Sequence, residues 1–248
     1  MTQPVPKERL GIVGGTGPQG RGLAVRWALA GYGVLIGSRS REKAEGVADR
    51  VRQRAGRDVD VRGCPNDEAC AAGDVILVTV PYDAQRSTLP DLRHAVDGKL
   101  VVNVVNPVVF DELGPRGVRV EAGSAAQECQ DLLPEATVVS AFHEVPARHL
   151  WDVGEPVSCD VLICGDDHDA AHRVAHLASD IPGMWGVYCG PLRNSQYVEN
   201  ITPVLLAINR HYDIHAGLRI EGIQRDDTTL HGRADGAPGD GRAAAPGA

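Results

Sequence analysis

Two apolar runs, VILVTVP (75–81) and KLVVNVVNP (99–107), do not alternate between apolar and polar positions. Successive side chains of a strand point to opposite faces, so a strand with one wet face must alternate. A run that does not alternate is buried on both faces. RLGIVGG and YGVLIGSR behave alike, and the stretches GRGLAVRWALAG and REKAEGVADRVRQR between strands carry helical patterns. Strands buried on both sides and separated by helices make a parallel sheet joined by right-handed crossovers. The expected fold is α/β, a Rossmann-type doubly wound parallel sheet with a small C-terminal α/β lobe.

The texture changes after about Val145. CDVLICGDD reads as one more strand, DAAHRVAHLASDI as a helix, and NSQYVENITPVLLAINRHY as one long helix carrying Pro203. This divides the chain into a nucleotide-binding domain (1–147), a small lobe packed on the sheet (148–223) and a tail (224–248). The tail is rich in Gly, Ala, Pro and Asp, too poor in apolar residues to offset the entropy of ordering, and is expected to be disordered.

The segment GIVGGTGPQGRG places Gly15, Gly17 and Gly20 in a G-x-G-x-x-G spacing directly after a strand and before a helix. In such a turn the first glycine permits the bend, the second lets the backbone approach a pyrophosphate, and the third lets helix and strand pack closely. The helix N-terminus supplies free N–H groups and partial positive charge, and Pro18 suits its first position. The strand context around the glycines points to a dinucleotide. The next strand ends in Ser38 and Arg39, with Arg41 and Lys43 behind, where an NAD site carries an acid. A hydroxyl and a guanidinium there fit a 2′-phosphate, so the expected cofactor is NADP(H). Thr16 and Lys43 are placed to join them.

A net charge of −8 argues against a nucleic-acid partner, which needs a basic face. The opening MTQPVPKERL has no apolar h-region and no run is long enough to span a bilayer, so neither a secretory leader nor a membrane partner is expected. The six cysteines form no C-x-x-C pair and the histidines are scattered. We expect no metal site and a reduced, cytoplasmic protein.

Five blocks, GGTGPQGRGLAVRWALAGYGVLIGSR, VTVPY, VVSAFHEVPA, CGDD and GPLRNSQYVENITPVLLAINRHYDIHAGL, together resemble the NADPH-dependent coenzyme F-420 reductases, or F-420:NADP oxidoreductases. The resemblance runs from about Arg9 to about Ile223. It implies hydride transfer between NADP(H) and the deazaflavin F-420. By matching motif, Thr16, Gly17, Pro18 and Gln19 hold the pyrophosphate, Ser38, Arg39 and Lys43 the 2′-phosphate, and Val80, Pro81 and Tyr82 the nicotinamide. Pro107, His143, Pro146 and Asn194 then lie near the deazaflavin rings or tail. Direct hydride transfer requires no strong acid or base, and none is assigned; His143 is placed to tune the deazaflavin. Arg148, Arg193 and Arg210 are candidates to meet the phosphate and glutamates of the F-420 tail.

Two other readings stay open at this point. One is an NADPH-dependent reductase of a small imine or carbonyl compound, with His143 or Tyr82 donating the product's proton. The other is a non-catalytic NADPH-binding protein. The long C-terminal helix leads us to expect a homodimer.

Overall fold

The computed structural model describes residues 7–225. The expected tail lies almost wholly outside them. The N-terminal half runs β1 (Arg9–Val13), α1 (Pro18–Leu29), β2 (Gly33–Ser38), α2 (Arg41–Ala55), β3 (Val61–Pro65), α3 (Asn66–Ala72), β4 (Val75–Val78), α4 (Tyr82–Thr88) and β5 (Leu100–Asn103). A short hairpin, β6 (Val108–Asp111) and β7 (Gly114–Gly117), precedes α5 (Ala125–Leu132) and β8 (Thr137–Ser140). The remainder is α6 (Ala147–Trp151), β9 (Cys159–Gly165), α7 (His168–Ser179), β10 (Met184–Tyr188), α8 (Ser195–Glu199) and α9 (Ile201–Tyr212).

Eight strands form one sheet in the order β10-β9-β8-β5-β4-β1-β2-β3. Strands β3, β2, β1, β4, β5 and β8 pair in parallel, with Ile12 opposite Ile36 and Val13 opposite Val78. The chain winds outward from β1 in both directions, so the strand order reverses between β1 and β4. A crevice opens there at the carboxyl ends of the strands, where such sheets bind their ligands. The central strands are buried, with Leu10, Ile12, Val13, Val75 and Leu77 fully enclosed.

Three features differ from the sequence reading. The small lobe's strands are not packed on the sheet but continue it, and β9 meets β8 antiparallel, with Ser140 opposite Cys164. Apolar run length reports burial on two faces but not strand direction. The expected long C-terminal helix is two, broken at Asn200. Pro203 sits in the first turn of α9, where a backbone N–H has no intrahelical acceptor to lose. The β6–β7 hairpin went unread because its strands are edge pieces of four residues each.

Trp27 of α1 joins the two halves. It is fully buried, packs edge-on against Phe142 at 5.4 Å, and donates its indole N–H to Leu177 of α7 at 2.8 Å. Arg26 beside it donates to the carbonyls of His149, Leu150 and Glu155 and of Asp152, fixing α6 against α1. The last described residues remain attached: buried Asp160 of β9 accepts from Arg219, from Ile220 N–H and from Arg225.

Candidate active site

The crevice is a cleft of about 470 Å³. Its lining brings together most of the residues expected from sequence: Thr16, Gly17, Pro18 and Gln19 from the glycine turn, Ser38, Arg39 and Lys43 from the end of β2 and the start of α2, and Val80, Pro81 and Tyr82 after β4. Pro18 is the first residue of α1, with Gly17 as its extended N-cap.

The glycines divide their work differently from the expectation. The left-handed residue of the turn is Gly14, with φ +70°, rather than Gly15. A Cβ on Gly14 would lie 2.7 Å from the Val80 side chain, so its absence also seats Val80 in the wall. Gly20 is a packing glycine: a Cβ there would lie 2.6 Å from Gly15 Cα and 2.9 Å from Thr79 Oγ1. Gly17 is under neither constraint. Its φ is −74° and a Cβ would meet only Gly14 O, at 3.9 Å. Gly17 lines the cleft.

Ser38 ends β2 nearly buried, its Oγ accepting from Ser40 N–H. Ser40 then caps α2 by accepting from Lys43 N–H. Arg39 and Lys43 project as exposed cations without ion pairs among the described residues, whereas Arg41 is paired with Glu68. Two free cations and a hydroxyl therefore face the mouth of the cleft. A second depression continues from it, sharing Ser38, Arg39, Asn66 and Thr88.

The cleft wall at Tyr82 is braced from behind. Glu128 of α5 is buried and accepts from Gln85 Nε2 at 2.9 Å, from Arg86 and, at 3.4 Å, from Tyr82 OH. Asn103 at the end of β5 donates to Gln85 Oε1 at 2.8 Å. Glu199 of α8 accepts from the N–H groups of Ala125 and Ala126, holding the start of α5. Burial raises the Glu199 carboxyl to about 7. One chain of polar contacts thus links the C-terminal segment to Tyr82.

The residues expected on the deazaflavin side are less clustered. His143 is not in the lining; it is buried, its Nε2 bonded to Ser140 Oγ at 3.0 Å, and burial lowers its pKa to about 3, so the ring is neutral. Its backbone carbonyl faces the active region instead, accepting from Asn106 Nδ2 at 3.2 Å and Thr202 Oγ1 at 3.1 Å. Gln19 Nε2 holds the preceding carbonyl, of Phe142, at 3.1 Å. Phe142 has φ 66°, unusual for a bulky residue, and these bonds fix it. Pro107 is buried behind Asn106 and Pro146 caps α6. Asn194 donates to Cys189 O at 2.8 Å, closing its own turn. Arg193 and Arg210 lie outside the cleft.

Sequence reasoning missed Gly14, Asn66, Thr79, Ala84, Thr88 and Asn106, all in the lining. The doubled glycine and the asparagine before Pro107 were visible signals. Asn66 was not: it reaches the site because β3 lies beside β2, and its Oδ1 accepts from Gly14 N–H at 3.2 Å. The cysteines play no visible part; burial holds the thiols of Cys70, Cys129, Cys159 and Cys164 up at about 12.

The family described as NADP oxidoreductase coenzyme F420-dependent matches residues 9–107. The F420-dependent NADP reductase of Methanothermobacter thermautotrophicus is 39% identical over 88% of this chain and 97% of its own length. That of Methanocaldococcus jannaschii is 37% identical over 87% of this chain and 99% of its own. A crystal structure of a candidate F420-dependent NADP-reductase from Arthrobacter sp. FB24 shares the fold, with a TM-score of 0.75 at 21% identity over 86% of this chain and 99% of that one. With near-full-length identity of this order on both sides of the cleft, the chain belongs to the F420-dependent NADP reductase family.

Proposed function

We infer that this chain is an NADP-dependent oxidoreductase that transfers a hydride between NADP(H) and the deazaflavin coenzyme F-420. The observation that supports the cofactor half is that Arg39 and Lys43, without ion pairs among the described residues, line the cleft with Ser38 at the end of β2. The full-length likeness to F420-dependent NADP reductases supports the acceptor.

In this reading Thr16, Gly17, Pro18 and Gln19, with the N–H groups opening α1, hold the pyrophosphate. Ser38, Arg39 and Lys43 hold the 2′-phosphate through charge-assisted hydrogen bonds of about 1.5–3 kcal/mol each. The adenine occupies the depression beyond Ser38 and Asn66. Val80, Pro81 and Tyr82 orient the nicotinamide, and Glu128 keeps Tyr82 in place. When bound, the two coenzymes supply the redox chemistry, a hydride passing directly between ring carbons held about 3–3.5 Å apart. The chain's part is to align the rings and exclude water. The neutral, buried His143 contributes through its backbone position, not as an acid, and Asn106, Thr202, Pro107, Pro146 and Asn194 shape the deazaflavin side.

We further propose a cytoplasmic homodimer. The six cysteines are free, and the described helices include none long and apolar enough to cross a membrane. On α9 only Pro203 and Leu205 are buried, while Val204 and Tyr212, and Phe110 and Leu113 of the hairpin packed against it, are exposed. Transfer of label tests the reaction: deuterium at the reactive nicotinamide carbon of NADPH is expected in the reduced deazaflavin. Hydrogen derived from solvent at that carbon would refute direct transfer.

A further inference from the structure

Outside the cleft, the far end of the sheet brings two thiols side by side. The parallel pair β9 and β10 has Val187 opposite Leu162 and Tyr188 opposite Ile163. The pairing continues just past β10: Cys189 N–H donates to Ile163 O at 2.7 Å, and Gly165 N–H to Gly190 O at 3.1 Å. Cys189 therefore comes opposite Cys164. Both belong to the apolar cluster that Leu162 and Val187 share, so the two side chains lie on one face of the sheet. Neighbouring strands run about 4.8 Å apart, within the Cα separation of roughly 4.4–6.8 Å that a disulfide spans. Gly190, with φ +98°, follows directly and gives the end of the strand freedom to adjust.

The two thiols differ in access. Cys164 is fully buried, whereas Cys189 is half-buried and its Sγ donates to Val187 O at 3.4 Å. Burial raises both, Cys164 to about 12. They therefore rest as thiols and react slowly, because the thiolate is the nucleophile. The turn after Cys189 leads toward the cleft. Asn194 donates to Cys189 O at 2.8 Å, and buried Ser195, which opens α8, lies against the Cys164 thiol. Farther along, Glu199 holds the start of α5, and Thr202 donates to His143 O at 3.1 Å.

We propose that Cys164 and Cys189 are a redox modification site, forming a reversible intrachain disulfide that clamps the turn 190–195 to β9. The co-reactant is a peroxide. The more accessible Cys189 thiolate attacks one peroxide oxygen, breaking the O–O bond and leaving a sulfenic acid at Cys189. The Cys164 thiolate then attacks the Cys189 sulfur and expels its oxygen as water. The two thiols lose two hydrogens and two electrons, one S–S bond forms, and the peroxide leaves as two molecules of water or as water and an alcohol. A disulfide with one half-exposed sulfur is of the labile kind that a thiol reductant reopens. Its effect on activity, through the segment that carries Thr202, rests on the reading of F-420 as co-substrate; the bond itself does not.

The test treats purified, fully reduced full-length protein with hydrogen peroxide, alkylates the remaining thiols and maps the digest by mass without reduction. The expected product is a peptide pair joined through Cys164 and Cys189, lost on adding dithiothreitol and absent from both Cys189→Ser and Cys164→Ala. Sulfenic acid or higher oxides on Cys189 with Cys164 still alkylated, or a bond between any other two cysteines, would overturn the site. So would six alkylated cysteines after treatment. Kinetics with NADPH and F-420 form a separate arm. Oxidised wild type is expected to show KM for F-420 raised about fivefold, reversed by dithiothreitol, with Cys189→Ser unresponsive to peroxide. Unchanged kinetics in protein mapped as cross-linked would overturn the clamp's action on the site. Reduced protein inactive with F-420 would refute the function reading, and the mass map would still decide the bond.

Discussion

Gly17 and Arg39 carry the cofactor assignment in different ways. Gly17 has ordinary backbone angles and open space where a side chain would go, so the fold itself does not demand glycine there, and the proposed pyrophosphate would. Gly17→Val is therefore expected to leave the melting temperature within a degree or two of wild type, on the scale of neutral surface changes, and to abolish NADPH binding measured by fluorescence titration. A variant that unfolds would show instead that the glycine serves the fold. Arg39→Glu is expected to weaken NADPH binding far more than NADH binding, by about 2 kcal/mol or more from the lost charge-assisted bonds. Equal losses would remove the 2′-phosphate from this position.

At the level of elements, the segment between β8 and α6 carries Glu144. The side chain is buried, accepts from Leu162 N–H at 2.7 Å through Oε1, and leaves Oε2 without a partner. Burial raises its pKa from 4.5 to about 7. A carboxyl raised on folding binds more protons in the native than in the unfolded chain, so its stabilising contribution is complete below about 4.5 and is lost as pH rises toward 7. The loss is roughly 3 kcal/mol at 1.36 kcal/mol per unit. Glu144→Gln keeps the acceptor for Leu162 and removes the titration. The mutant's melting temperature relative to wild type is expected to climb between pH 5 and 7.5, and parallel profiles would contradict the buried acid.

How much of this was legible in the sequence depended on the range of the contact. The strands β1, β2, β4 and β5 and the glycine turn were readable because burial and bending are local demands on composition. The basic end of β2 was readable as residue types, and its place at the cleft follows from that topology. The antiparallel join of β9, the place of Asn66 and the withdrawal of the His143 ring into the interior were not. Each depends on which distant segment lies alongside, and single-chain periodicity carries no such information.

For the whole molecule, the apolar surface is concentrated where the hairpin lies against α9. Phe110 and Leu113 are 72% and 98% exposed, and Val204 and Tyr212 are more than half exposed. Exposed apolar side chains on two elements packed together suit an interface, and a second copy of the chain is their proposed occupant. Sedimentation velocity is expected to show a dimer for the wild type and a monomer for Phe110→Glu combined with Val204→Glu. A wild type that sediments as a monomer at micromolar concentration would contradict the dimer and leave the cleft, built within one chain, unaffected.

The most direct measurement mixes the purified protein with NADPH and coenzyme F-420 and follows the deazaflavin's visible absorbance. Rapid loss with NADPH, and much slower loss with NADH at the same concentration, is the predicted result. Persistent absorbance with NADPH tightly bound would contradict the assignment of F-420 as acceptor.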